Sequence, residues 1–115
     1  MTADRDDASL LDIAEAIRRI QLFKGDMDRQ AFLLDLKTQA AILHEITVLG
    51  EAVKRLSAAF RQKHPDIPWG RIAGMRDKLI HAYDEVDLER VWEVAEQDIS
   101  HLKSRIQPLL PKKES

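Results

Sequence analysis

Within eight residues, Arg76-Asp77-Lys78-Leu79-Ile80-His81-Ala82-Tyr83 brings together a permanent cation, an imidazole and a phenol. A guanidinium presents a fork of donors that matches a phosphate. An imidazole takes or gives a proton near neutral pH. If the segment is a regular helix of about 100° per residue, Arg76 and Tyr83 lie about 20° apart, and His81 stands about 140° from Arg76. Arg76 and His81 then meet on one phosphate only if the helix ends near His81 or if a second chain contributes; Asp84 and Glu85 suit an ending there. Ile72 and Leu79 flank Arg76, so the arginine emerges on an apolar stripe and needs a partner or a ligand. The plain alternative also stands: Arg76 pairs with an acid of the last helix, Tyr83 closes the core and His81 is solvated.

Other chemistries have little to work with. The 115 residues contain no cysteine, which removes disulfides, thiol catalysis and thiolate zinc sites. The four histidines, His44, His64, His81 and His101, stand 20, 17 and 20 residues apart with no H-E-x-x-H, so no metal site is expected. Gly70 and Gly74 lack the lysine and hydroxyl of a phosphate-binding loop, and no G-x-S-x-G occurs. No cofactor is expected.

Charge is distributed unevenly. The chain is formally −2, but residues 54–81 carry seven Lys/Arg (Lys54, Arg55, Arg61, Lys63, Arg71, Arg76, Lys78) against Asp66 and Asp77, a net of +5. Residues 1–53 come to −4, residues 82–101 to −6 and the remainder to +3. Such a chain is no bulk nucleic-acid binder, yet a basic segment in an acidic frame focuses one polyanion onto one site. Simple solvation of a helix face is the competing account.

The elements that must position these residues are all helical. Leu10, Ile13, Ile17 and Ile20 recur at steps of three and four, predicting a helix from Asp6 to about Phe23, closed by Gly25 in the left-handed conformation. A short helix near Asp28 to Leu33 should precede a long one capped by Asp35. Ile42, Ile46, Leu49, Val53, Leu56 and Phe60 predict that the long helix continues to about Lys63, with Gly50 allowing another helix close. His64-Pro65-Asp66-Ile67-Pro68 is a loop, and Pro68 suits the first turn of a helix from Trp69 to about Ala82. Asp87 should cap the last helix, whose stripe is Leu88, Val91, Trp92, Ala95, Ile99, Leu102 and Ile106; Pro108 and Pro111 end it, leaving residues 108–115 as a frayed tail. The expected fold is a single all-α domain over residues 1–115, an antiparallel up-and-down helical bundle of four main helices plus a short extra one. No apolar run approaches the ~20 residues that span a bilayer, and the acidic start MTADRDDASL lacks a signal-peptide core, so a cytoplasmic location is expected.

The stretch GEAVKRLSAAFRQKHPDIPWGRIAGMRDKLIHAYDEVDLERVWEVAEQDISHLKSRI resembles the HepT-like branch of the HEPN superfamily. DIAEAIRRI and KTQAAILHEI fit as well, so the resemblance covers nearly the whole chain. Its signature is Arg-x4-6-His continued as His-x-Tyr, here Arg76, His81 and Tyr83, placed after IPWGRIAGM and before VDLERVWEV. Many relatives have glycine and an aromatic around the tyrosine where this chain has Ala82 and Asp84, a change of turn detail.

The resemblance implies a HEPN-like bundle acting as a metal-independent ribonuclease, the toxin of a toxin–antitoxin pair. It implies a homodimer whose motifs line a shared cleft, with Arg76 and His81 catalytic. It also implies an antitoxin partner, an MntA-like minimal nucleotidyltransferase that transfers AMP onto Tyr83. Glu51, beside the long seam, could pair with Arg76; Asp77 and Lys78 either tune the motif or are solvated. Lys54, Arg55, Arg61, Lys63 and Arg71 are candidates for RNA backbone contact, with solvation the alternative for each. A HEPN dimer that docks a nucleotidyltransferase or binds nucleotide without cleaving RNA is the second reading.

Overall fold

The computed structural model describes residues 2–80 and 85–111, with side chains from Arg5 onward; His81, Ala82, Tyr83 and Asp84 lie outside the described residues. The helices are α1 (Thr2–Lys24), α2 (Arg29–Leu33), α3 (Leu36–Lys54), α4 (Ala58–Lys63), α5 (Trp69–Ala73), α6 (Met75–Leu79), α7 (Leu88–Glu93) and α8 (Ile99–Ile106). A π turn, Val94–Asp98, joins α7 to α8, and a 3-10 turn, Gln107–Leu109, follows α8. The fold is all-α.

Cross-element contacts give the directions. Asp12 of α1 pairs with Arg55 just beyond α3 at 3.2 Å, while Arg19 reaches Glu45 at 3.8 Å, so α1 and α3 run antiparallel. Lys24 meets Glu96 at 2.8 Å at one end of α1, and Ile17 shares a cleft with Ile106 nearer the other. The α5–α6 arm runs against α7–α8: Leu79 accepts the Asp87 amide at 2.8 Å, and Asp66 lies 3.7 Å from Arg105 at the far end. At the remaining corner, Phe32 of α2 stacks against Trp92 at 5.6 Å.

The core is the seam the spacing predicts. Leu10, Ile13, Ile17 and Ile20 of α1 face Ile42, Ile46, Leu49 and Val53 of α3, all buried. Each such side chain contributes roughly 1.5–3 kcal/mol. Gly25 closes α1 at φ 53°, its amide bonded to the Gln21 carbonyl. Asp28 and Asp35 cap α2 and α3, accepting from Ala31 N and Thr38 N.

Hydrogen bonding by the Thr38 amide holds the Asp35 carboxyl below its usual 3.8. A lowered folded-state pKa adds stability above the unfolded value and loses it as pH falls through the folded one. Asp35→Ala should therefore melt lower than wild type at pH 7, and the gap should narrow below pH 3.8. Thermal scans at pH 7, 4 and 2.5 check this; a constant gap would remove the carboxylate's share.

Several expectations need correction. The long helix does not run to Lys63: α3 stops at Lys54, and Ser57 starts α4 by accepting from Phe60 N. Asp6 fastens that break, accepting from Ser57 N at 2.8 Å and from Ser57 Oγ at 2.7 Å. The helix expected from Trp69 to about Ala82 is two short ones joined at Gly74, and α6 ends at Leu79. Pro68 sits one place earlier than expected, as the N-cap of α5. The last helix contains the π turn, whose wider winding lets Val94, which lies off the expected stripe, join Ala95 in the core. Leu109 and Leu110 pack partly buried against the core, and residues 112–115 lie outside the described residues. Among the described residues no helix is long and apolar enough to cross a membrane.

Candidate functional site

Gly50 sets the approach of α5–α6 to α3. A Cβ there would meet the Ala73 carbonyl oxygen at 3.1 Å, tighter than nine in ten such contacts, so any larger residue would push the two backbones apart by a few tenths of an ångström. Beside that crossing is a cleft of about 240 Å³ lined by Thr47, Gly50, Glu51 and Lys54 of α3 and by Ala73, Arg76 and Asp77. Positions 47, 50, 51 and 54 share one helical face. That spacing is visible in the sequence, but Thr47 has no charge to draw notice.

Arg76 projects into this cleft half-exposed, its side chain at 49% of full accessibility. Among the described residues its ion-pair partner is its neighbour Asp77, at 3.7 Å, rather than an acid of the last helix. A contact this long to an exposed carboxylate contributes little to stability, so the guanidinium remains available to a ligand. Glu51 lines the same cleft but pairs with Lys54 at 3.4 Å.

Beyond Arg76 the helix stops where convergence with His81 requires it to. Ile80 is extended (φ −111°, ψ 118°) and pairs antiparallel with Val86. The chain on either side of residues 81–84 is thus held side by side, at Ile80 and Val86. The regular helix that the 140° separation assumes stops at Leu79.

The other cations do not gather at Arg76. Lys54 joins it, whereas Arg55 is drawn off to Asp12 of α1. Lys63 is exposed on α4, and Arg61 is partly buried there, its Nε without a hydrogen-bond partner. Arg71 and Lys78 line a separate groove toward α7 and α8, with Arg90, His101 and Arg105. Arg90 sits among the seven acids of residues 82–101, which mask it in a charge count along the chain.

A helical bundle with a half-exposed arginine at the mouth of an Arg-x4-His-x-Tyr segment is an all-α domain of the HEPN-like kind. The chain belongs to the ribonuclease HepT-like family, whose model matches residues 13–109. It is 44% identical over 100 residues to a protein of Thermococcus cleftensis named "Probable ribonuclease HepT", covering 87% of this chain and 91% of that one. A candidate RNase of Methanocaldococcus jannaschii is 39% identical over 103 residues, 90% and 89% of the two chains. Another, from Caldanaerobacter subterraneus, is 40% identical over 93 residues, 81% and 82%. No solved structure matches the chain.

Proposed function

We propose that this protein is a metal-independent endoribonuclease of the HEPN type. The observation that carries the reading is Arg76 half-exposed in its cleft on a helix that ends at Leu79, two residues before His81. In the reaction an RNA 2′-OH attacks the adjacent phosphorus and gives its proton to a base. The 5′-oxygen leaves with a proton from an acid, and a 2′,3′-cyclic phosphate and a 5′-OH remain. His81 serves as base or acid, and Arg76 stabilises the charge that grows on the phosphoryl oxygens. The nucleophile belongs to the RNA, so DNA is left intact.

The same reading places the protein as the toxin of a type VII HepT/MntA-like toxin–antitoxin pair in the cytoplasm, acting as a homodimer on RNA such as tRNA. An MntA-like minimal nucleotidyltransferase antitoxin would join the Tyr83 oxygen to the α-phosphate of ATP, releasing pyrophosphate. The AMP would put bulk and a negative phosphodiester within the motif, competing with the substrate phosphate for Arg76. The relatives named as ribonucleases support the activity; the antitoxin rests on the motif tyrosine.

Total tRNA incubated with purified protein in EDTA is the test. Wild type should cut it and leave cyclic-phosphate ends, and His81→Ala should lose cleavage by roughly 10²–10⁴-fold. If neither cuts, and intact mass shows no AMP on Tyr83, the ribonuclease reading fails in favour of the non-catalytic dimer that docks a nucleotidyltransferase.

A further inference from the structure

A cavity of about 450 Å³ lies between the start of α5 and the π turn and α8, and it shares no lining residue with Arg76's cleft. A smaller one of about 60 Å³ continues it, sharing Arg71, Met75 and Asp98 as lining residues. Together they form one groove along the seam between α5–α6 and α7–α8. It ends at Lys78, Leu79 and Arg90. Leu79 adjoins Ile80, which pairs with Val86, so the groove comes up beside the two positions that flank residues 81–84.

Its chemistry differs from that of the chain around it. Arg71, Lys78, Arg90 and Arg105 line it against Asp66 and Asp98, a net of +2 with His101 neutral, in a chain whose total is −2. The two carboxylates already have partners: Asp98 pairs with Arg90 at 3.6 Å, and Asp66 with Arg105 at 3.7 Å. Arg71 and Lys78 are exposed, with no ion-pair partner among the described residues. Ile72, Met75, Ile99 and Leu102 form an apolar floor between them and α8. Gln97 and Asp98 of the π turn form one wall, and π turns recur at functional sites.

We infer that this groove is a binding track for single-stranded RNA outside the scissile linkage. Arg71 and Lys78 hold successive parts of the phosphate backbone, and a base lies on the Ile72–Met75 floor. A single strand offers its backbone charge to such cations and a base face to such an apolar floor. The arrangement fits RNA better than a peptide because the two groups left without an ion pair among the described residues are both cations. The inference rests on the ribonuclease reading for its ligand, and binding can be measured apart from cleavage.

The probe is a fluorescent 12-nucleotide single-stranded RNA, titrated by anisotropy at 50–300 mM salt into the full-length His81→Ala protein. Adding Arg71→Ala and Lys78→Ala should weaken Kd by roughly tenfold and lower the slope of log K against log salt by about 1.4, or 0.7 per lost phosphate contact. Adding Met75→Ala should instead weaken Kd with the slope unchanged, since it removes a base contact. Unchanged Kd and slope in the double-cation variant would overturn the track, and would point to the groove as a seat for a protein partner. Binding that responds as expected in a protein whose wild type cuts nothing would uphold the track and sink only the ribonuclease reading. No RNA binding by any variant overturns the track and leaves the ribonuclease reading to the cleavage test.

Discussion

Arg76→Ala should lose RNA cleavage by roughly 10²–10³-fold or more, the usual cost of removing one group aimed at transition-state charge, while melting within a few degrees of wild type. The two halves of this expectation come from one observation. Arg76 is half-exposed, and its partner among the described residues is an Asp77 carboxylate 3.7 Å away that is itself 81% accessible. An exposed pair of this kind contributes at most about 1 kcal/mol. A structural arginine would behave in the opposite way, because removing one member of a buried pair leaves a bare charge and costs about 3–5 kcal/mol. Cleavage of a defined RNA and a thermal melt on the same preparation separate the two. Arg76→Lys keeps the charge but not the planar fork, and should recover only part of the rate. A large drop in Tm with cleavage scaled to the folded fraction would make Arg76 a packing residue.

Much of this architecture is legible in the sequence, and the exceptions have physical causes. Periodicity locates α1, α3 and α8 because long amphipathic helices repeat the same constraint many times. The caps at Gly25, Asp35 and Asp87 are legible because each is a local interaction within a few residues. Breaks at Lys54 and Gly74 are not. Leu56 and Phe60 keep the three-four rhythm across the first break, since α4 turns its apolar side to the same core as α3. The break is fastened by a carboxylate 51 residues away, which no local pattern reveals. The cleft shows the same division. Arg76 stands out from its motif, and Gly50 marks a place of close approach. That Glu51, Lys54 and Thr47 line one cavity with Arg76 depends on how far α5–α6 settles against α3.

The distant carboxylate gives the largest stability effect expected for a polar side chain. Asp6 is 7% exposed and accepts from both Ser57 N and Ser57 Oγ. The same hydroxyl oxygen then accepts from Phe60 N at 3.1 Å, so one carboxylate orients the cap of α4. Asp6→Ala leaves a partly buried amide and hydroxyl without their acceptor, at about 1–3 kcal/mol per group. It also loosens a cap normally worth ~1 kcal/mol. A total near 3 kcal/mol is about 10–20 °C in Tm for a domain of this size. Asp6→Asn retains one acceptor oxygen and should lose clearly less. The effect bears on function because α4 helps to seat α5: Phe60 packs on Trp69 at 6.1 Å, and Trp69 Nε1 donates to the His64 carbonyl at 3.0 Å. Trp69 opens α5, which leads into α6 and Arg76. Asp6→Ala should therefore cut RNA normally well below its lowered Tm, then fail at temperatures where wild type still works. A melt within 0.5 kcal/mol of wild type would show that Ser57 stops α3 without help from α1.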